Sequence, residues 1–246
     1  TGEIDKRGAI CLNIEATGGK SIRQETFERF SDFDISKPSL PIYFDVRFSN
    51  VCNYRCRTCW HGASSRWFEE AKVFNTNSGE KAIIHNIKDY ENFIANWGED
   101  LLQAEEIYFA GGEPLATEEH YLLLNWLVKN NATKMRLRYN TNFSMLSFKG
   151  HQVLKYWAVF PSVELLVSLD ASEKLGEYIR KEMNWKTILS NREKIRSLKH
   201  LQVKIAPTIS VFNMMHLPEL YKQCLSHTFI EQDGFYINIL DRPIHY

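Results

Sequence analysis

The sequence has 246 residues, of which 44% are hydrophobic and 24% are charged, and its 30 Lys and Arg residues balance its 30 Asp and Glu residues. This length allows one large domain, or one domain with an appendage, around a sizeable apolar core. The neutral balance argues against nucleic acid as a partner, because proteins that track phosphates are usually basic. No apolar run approaches the roughly 20 residues that span a bilayer. We therefore expect a cytoplasmic protein with no membrane partner.

Residues 1–37 are polar and weakly patterned, with a predicted short helix at 21–30, and we interpret them as an N-terminal extension. Pro38 and Pro41 separate this extension from the rest of the chain. The sequence begins with Thr1 rather than Met and stops directly after a strand-like run, so we expect that one or both ends are cropped.

Strand-like and helical patterns alternate over residues 38–246, which we interpret as a second region. The strands are predicted at 42–48, 106–110, 134–139, 163–169, 202–210 and 234–240. The helices are predicted at 81–97, 118–130, 150–159, 185–198 and 217–227. Such alternation is typical of βα units around a parallel sheet. Because right-handed crossovers curl such a sheet, we predict an α/β fold, specifically a partial (β/α)6 barrel.

Three of the five cysteines, Cys52, Cys56 and Cys59, lie together directly after the first predicted strand. An odd, clustered set of cysteines indicates a metal or redox site rather than disulfides. With the spacing C-x3-C-x2-C, three thiolates can hold three irons of a cubane cluster, and the fourth iron is left open to a substrate. The same triplet with His61 as fourth ligand would suit structural zinc, and the spacing alone does not decide between the two.

Small and polar residues follow the other predicted strands, at the edge where parallel α/β sheets bind ligands. Gly111, Gly112, Glu113 and Pro114 follow the second strand, and glycine lets a backbone approach a ligand closely. Polar residues after the later strands are Asn140, Thr141, Asn142, Ser168, Asp170 and Asn213. Because Asn and Asp also favour helix N-caps, Asn142 and Asp170 have a purely structural alternative.

The cysteine triplet after the first strand and Gly-Gly-Glu-Pro after the second together resemble the radical SAM superfamily, over roughly residues 40–240. The resemblance favours a cluster over zinc. It implies a radical SAM barrel with a [4Fe–4S] cluster on Cys52, Cys56 and Cys59, whose open iron binds S-adenosylmethionine. In this family an electron from the reduced cluster splits S-adenosylmethionine, and the resulting 5′-deoxyadenosyl radical abstracts hydrogen from the substrate. An electron donor such as a flavodoxin or ferredoxin is implied as a partner.

The resemblance also implies contacts to S-adenosylmethionine at matching positions. Gly111, Gly112 and Glu113 would hold the methionine amino group. Arg180 would hold the carboxylate, which suits an arginine fork, although an ordinary surface position is its alternative. The positions that would contact the methionine and ribose parts are Asn142, Ser168 and Asp170.

One position departs from the pattern of the family. The residue before the third cysteine is usually aromatic or bulky and packs near the adenine, whereas Thr58 stands there in this sequence. We expect Tyr54 or Trp60 to supply the adenine contact in its place.

Residues 11–24 resemble a segment that precedes the core in the SPASM and twitch branch of the family. That segment often carries two cysteines; Cys11 matches the second, and Gly8 stands in place of the first, so the resemblance gives little support to an auxiliary cluster. Relatives in this branch commonly modify peptides or proteins, which makes a peptide the leading substrate. The alternatives are a small molecule, such as a nucleoside or cofactor precursor, and a non-catalytic zinc-binding module. Charged barrel residues that would serve a small anionic substrate are Arg47, Arg136, Arg138, Glu164 and Lys204.

Overall fold

The computed structural model describes residue 28 and residues 41–240, so the other residues of the predicted N-terminal extension lie outside the described part. The helices of residues 41–240 are α1 (Phe68–Val73), α2 (Tyr90–Leu102), α3 (Glu118–Lys129), α4 (Val153–Trp157), α5 (Glu173–Ile179), α6 (Trp185–Ile195) and α7 (Leu217–Ser226). The strands are β1 (Tyr43–Val46), β2 (Arg55–Cys56), β3 (Glu106–Phe109), β4 (Arg136–Thr141), β5 (Ser147–Phe148), β6 (His151–Gln152), β7 (Ser162–Val167), β8 (Arg180–Lys181), β9 (Leu201–Ile205), β10 (Thr208–Ile209) and β11 (Asn238–Ile239). None of the described helices is both long and apolar enough to cross a membrane.

A parallel sheet of five strands, in the order β1-β3-β4-β7-β9, organises these elements. In its register Val46 pairs with Phe109, Phe109 with Tyr139, and Tyr139 with Leu165. At least one helix lies in the chain between each strand and the next along this order. The carboxyl ends of parallel strands share one edge, so the segments that follow them meet at a common rim. The α/β class and the parallel sheet predicted from the sequence are confirmed.

The sixth predicted strand, at 234–240, does not join this sheet. The fifth predicted strand is divided into β9 and β10 by Pro207, which has no backbone N–H to donate. Beyond it, β11 pairs with β10 in a separate parallel ladder, and Ile205 and Phe235 form an isolated parallel bridge. The sixth segment thus runs beside the fifth as expected, but a five-stranded sheet replaces the predicted six strands, and the barrel stays a prediction.

The predicted helix at 81–97 is wrong over its first half. Helix α2 begins only after Asp89, whose carboxylate accepts a hydrogen bond of 3.0 Å from the backbone N of Asn92. Before it, the backbone of Ile84 is hydrogen-bonded to Asn50, which lies just before the three clustered cysteines, and the sequence pattern does not reveal this contact. The sequence also missed the short helices α1 and α5, and α4 is shorter than the predicted 150–159.

One face of the sheet is apolar and covered by helices. Its strands contribute buried side chains from neighbouring strands, such as Leu137, Val163 and Leu165. Rings from the helices complete the layer: His120 of α3 contacts Phe109 and Tyr139, and Trp157 of α4 contacts Tyr139. Full burial of an aliphatic or aromatic side chain stabilises a fold by about 1.5–3 kcal/mol, so this layer contributes strongly to stability. The apolar side chains of this layer are Val46, Ile107, Phe109, Leu137, Tyr139, Val163, Leu165, Val167 and Ile205.

The opposite face carries charged side chains that pair with one another. The Nε atom of Arg138 lies 2.7 Å from Glu164, and Lys204 Nζ lies 2.8 Å from the same carboxylate. Arg136 pairs with Glu106, and Arg47 pairs with Asp45 at 2.8 Å. All five charged residues considered for binding a small anionic substrate therefore take part in internal ion pairs.

Candidate functional site

The cysteine loop, residues 49–65, is fixed by buried polar side chains. Asn50 donates to the carbonyl oxygen of His61 over 2.7 Å and accepts from the backbone N of Ile84 over 2.8 Å. The Ser64 hydroxyl donates to the carbonyl oxygen of Tyr54 over 2.7 Å, and the Trp67 indole N–H donates to the carbonyl oxygen of Cys56 over 3.0 Å. These bonds hold the backbone of the loop without using a thiol.

Gly111 and Gly112 follow β3 and lie directly against this loop. Gly111 has a φ of +107°, and a Cβ atom on Gly112 would lie 2.0 Å from the carbonyl oxygen of Val51. The backbone N atoms of Gly112 and Glu113 donate to the carbonyl oxygens of Ser49 and Val51 over 3.1 and 2.6 Å. Close packing of the cysteine loop therefore also requires a glycine at position 112, and the predicted contact of the two glycines with a ligand stays a prediction.

The loop is also joined to the segment that follows α5. Cys56 in β2 pairs in antiparallel register with Arg180 in β8. The backbone N of Arg57 donates to the carbonyl oxygen of Ile179 over 2.8 Å, and the Arg57 guanidinium lies 3.9 Å from the centre of the Tyr178 ring. The segments after β1, β3 and β7 are therefore connected at one rim of the sheet.

A cavity of about 310 Å³ opens at this rim, and all three clustered cysteines line it. Of the residues predicted to hold the cluster or S-adenosylmethionine, all line this cavity except Glu113, Asp170 and the alternative aromatic residue Trp60. Asn140 and Thr141, the last two residues of β4, were noted in the sequence as polar residues near a strand end but were not assigned to the site, and no sequence signal pointed to the others. The lining residues that the sequence analysis left out are Ala63, Ser64, Asn140, Thr141 and Thr208.

Glu113 lies behind the cavity wall and bonds two strand ends together. Its carboxylate accepts hydrogen bonds from the Leu115 N, the Thr141 hydroxyl and the Asn142 N over 3.0, 2.7 and 2.6 Å. Burial raises the pKa of Glu113 to about 7, although the three donors favour its ionised form. The carboxylate is thus occupied by the protein, and its predicted contact with a methionine amino group stays a prediction.

Asp170 and Arg180 form a buried ion pair. The Nε and Nη2 atoms of Arg180 lie 2.8 and 2.9 Å from the two oxygens of Asp170, and the backbone N of Thr208 donates to Asp170 over 2.8 Å. Arg180 is only 9% exposed, so the alternative of an ordinary surface arginine is wrong. The helix-cap alternative for Asp170 is wrong as well, because Ser172 occupies the N-cap of α5.

Asn142 joins the end of β4 to the cysteine loop. Its Nδ2 donates to Asn53 over 2.8 Å, and its Oδ1 accepts from the backbone N of Ser144 over 3.0 Å, so it caps no helix. Of the aromatic candidates for the adenine contact, Tyr54 lines the cavity together with Thr58. Trp60 is 55% exposed and packs over Gly62 instead, which leaves Tyr54 as the candidate.

Three solved structures of SuiB from Streptococcus suis share the fold of this chain. SuiB bound to S-adenosylmethionine aligns with a TM-score of 0.58 and 12% identity, over 98% of this chain and 52% of the SuiB chain. SuiB bound to the precursor peptide SuiA aligns with a TM-score of 0.53 and 13% identity, over 96% of this chain and 52% of the SuiB chain. A further SuiB structure aligns with a TM-score of 0.57 and 12% identity, over 98% of this chain and 53% of the SuiB chain. This chain thus spans about half the length of SuiB. No family model and no curated protein matches the sequence.

SuiB was solved with S-adenosylmethionine and with the precursor peptide SuiA. At 12–13% identity the likeness shows that this chain shares the fold of SuiB. The shared fold agrees with the resemblance seen in the cysteine and Gly-Gly-Glu-Pro motifs.

The three clustered thiols at this rim suit a cluster. Burial raises the pKa of Cys52 to about 11 and that of Cys56 to about 12, and it also raises the pKa of Cys59. Thiols of this kind stay protonated until a metal displaces the proton, so they are poor nucleophiles and good candidates for ligands. No group of three or more His, Cys, Asp or Glu side chains in the described residues is arranged around a single metal ion. A cubane does not need that arrangement, because each thiolate binds a different iron.

His61 does not offer a zinc ligand. Its Nε2 lies 3.0 Å from the carbonyl oxygen of Ala82, and its Nδ1 accepts a hydrogen bond of 3.0 Å from the backbone N of Ser78. Both ring nitrogens are therefore engaged by the backbone. Zinc prefers four ligands in a tetrahedron, and the fourth one that the sequence suggested is not available.

Proposed function

We propose that this chain is a radical SAM enzyme that holds a [4Fe–4S] cluster on Cys52, Cys56 and Cys59 and cleaves S-adenosylmethionine reductively. The observation that carries this proposal is the common cavity that the three thiols line, at the carboxyl edge of a sheet with the fold of SuiB. When bound, the cluster supplies the electron that splits S-adenosylmethionine into methionine and a 5′-deoxyadenosyl radical. A flavodoxin or ferredoxin is the kind of protein that would deliver this electron.

The residues of the chain bind and orient S-adenosylmethionine beside the thiols. The backbone at Gly111 and Gly112 lies on the cavity wall, where it can approach the methionine part closely. Asn142, Ser168 and Tyr54 line the same cavity and offer a polar or aromatic surface to the ribose and adenine. Such positioning is the main contribution of a protein to cofactor chemistry.

A test of the cluster compares two cysteine variants after anaerobic purification. We expect about four irons and four sulfides per chain in the unchanged protein. Cys56→Ala should lose the cluster, whereas the matched variant Cys224→Ala, which removes a buried thiol from α7, should keep it. One zinc per chain without iron, or equal iron content in both variants, would overturn the proposal.

We propose that the substrate is a peptide or protein. Support comes from SuiB, which was solved with the precursor peptide SuiA, and from the paired charges on the polar face of the sheet, which leave little for a small anion. A short precursor-peptide gene beside the gene of this chain would supply a candidate substrate. Coexpression should then change the mass of that peptide with the unchanged protein and not with Cys56→Ala. A peptide of unchanged mass, in cells where 5′-deoxyadenosine still forms, would count against a peptide substrate.

A further inference from the structure

The buried pair of Asp170 and Arg180 leaves one part of the guanidinium pointing at a cysteine. The Nε and Nη2 atoms of Arg180 pair with the carboxylate of Asp170. The remaining nitrogen, Nη1, lies 3.7 Å from the sulfur of Cys56. The backbone pairing of Cys56 with Arg180 between β2 and β8 fixes the two residues side by side. Arg180 and Cys56 are 9% and 8% exposed, so the guanidinium and the sulfur are both largely shielded from solvent.

We infer that Arg180 is a positioning residue for the electrostatics of the cluster, which raises the reduction potential of a cluster bound to Cys56. This inference rests on the proposed function. Reduction adds one electron to the cluster, and the added negative charge is stabilised by the nearby guanidinium. Hydrogen bonds to the sulfur ligands and the local net charge are among the main determinants of such potentials. Asp170 holds the guanidinium in place and offsets part of its charge.

The two arginines of the cysteine loop itself have different partners. Arg55 pairs with Glu70 of α1, and Arg57 stacks on Tyr178 and donates to its carbonyl oxygen over 3.0 Å. Charges near the surface are strongly screened by water and salt, whereas a buried charge is screened much less over a few ångströms. Arg180 is therefore the cation in this loop region whose loss should be felt by the cluster.

The test uses a common Asp170→Asn background. Removing Arg180 alone would leave a buried, unpaired carboxylate, which destabilises the folded protein and would confound the measurement. The double variant Asp170→Asn with Arg180→Gln removes both charges and keeps groups that can hydrogen-bond to each other. Asp170→Asn with Arg180→Lys keeps the positive charge in the same background. Arg66→Gln, which removes an exposed cation close to the loop, is the surface control.

The cluster-loaded variants are titrated anaerobically with titanium(III) citrate, without S-adenosylmethionine, and the reduced cluster is followed by electron paramagnetic resonance. We expect a higher midpoint potential in Asp170→Asn than in the unchanged protein. The Arg180→Gln double variant should have a lower potential than Asp170→Asn, the Arg180→Lys double variant should stay near Asp170→Asn, and Arg66→Gln should match the unchanged protein. Equal potentials in Asp170→Asn and in its Arg180→Gln double variant, with equal iron content, would overturn this inference alone. An unchanged protein that binds no iron would overturn the proposed function as well.

Discussion

On the helix-covered face of the sheet the buried side chains are Leu137, Val163 and Leu165, whereas at the carboxyl ends of the strands they include Glu113, Asp170 and Arg180. Burial of apolar side chains in a tightly packed interior stabilises the folded state. A buried charge destabilises the folded state unless it has hydrogen-bonding or oppositely charged partners. The charged groups at the rim have such partners. The difference shows that the face holds the fold together, while the rim maintains polar groups around one cavity.

Truncation in the helix-covered face should produce the largest loss of stability. Leu137→Ala removes a fully buried side chain from β4 and leaves a cavity, so we expect the free energy of unfolding to fall by roughly 2–5 kcal/mol. Leu122→Ala on α3, where the side chain is 39% exposed, is the matched control and should change little. Urea unfolding of the two variants checks this. The iron content per folded chain should be unchanged in both variants. A selective loss of iron in Leu137→Ala would contradict the claim that the helix-covered face affects stability and the rim affects iron loading.

A methyl group at the rim should act on the cysteine loop. Gly112→Ala places a Cβ atom 2.0 Å from the carbonyl oxygen of Val51, so the loop has to move. Overpacking of this kind typically costs about 1–3 kcal/mol. We expect reduced iron loading at a temperature where the variant is still folded. In Gly79→Ala the nearest atom is 4.0 Å from the new methyl group, and iron loading should be normal. Equal loading in both variants would show that the loop tolerates displacement.

The helix-covered face contains one histidine that should make stability depend on pH. Burial lowers the pKa of His120 from 6.5 to about 3, so the folded protein keeps it neutral while the unfolded chain takes up a proton below pH 6.5. Stability is therefore lost as the pH falls below that value, by about 2 kcal/mol between pH 7 and pH 5. His120→Gln, which can still bond to Tyr139, should remove this part of the slope in urea unfolding. A slope identical to that of the unchanged protein would contradict the burial of a neutral imidazole.

The smallest effect is expected at the outer side of the cysteine loop. Arg57 lies over the Tyr178 ring with its guanidinium 3.9 Å from the ring centre. A partly exposed contact of this kind contributes about 0.5–1 kcal/mol. Arg57→Met should lower the free energy of unfolding by this amount and leave the reduction potential unchanged. A potential shift as large as that of the Arg180→Gln double variant would show that charge anywhere on the loop matters equally.

The α/β class, the parallel sheet and most of its strands could be predicted because strands and helices leave local apolar patterns in the sequence. Alternating apolar residues located β3, β4 and β7 to within a few residues, and the helices α3, α6 and α7 followed from their periodicity. The helix predicted at 81–97 is wrong over its first half because the backbone N of Ile84 donates a hydrogen bond to Asn50, which is distant in sequence. The sixth strand failed to join the sheet because Pro207 interrupts the preceding strand, and a sequence pattern does not show how far a ladder continues past such a break.

Most of the cavity lining could be predicted because parallel strands bring their carboxyl ends together. The motifs placed the cysteines, Gly111 and Gly112 at the correct rim. The partners of the charged groups could not be predicted, since the bonds from Asp170 to Arg180 and from Glu113 to Asn142 join separate segments of the chain. Thr208 escaped notice because its place at the rim depends on the break after β9.

The measurement that tests the central claim most directly is the formation of 5′-deoxyadenosine from S-adenosylmethionine by the anaerobically loaded protein after chemical reduction. We predict that 5′-deoxyadenosine and methionine form in equal amounts with the unchanged protein and with Cys224→Ala, and that Cys56→Ala forms neither. Their absence from reduced protein that carries a full complement of iron would contradict the claim that the open iron at this rim cleaves S-adenosylmethionine.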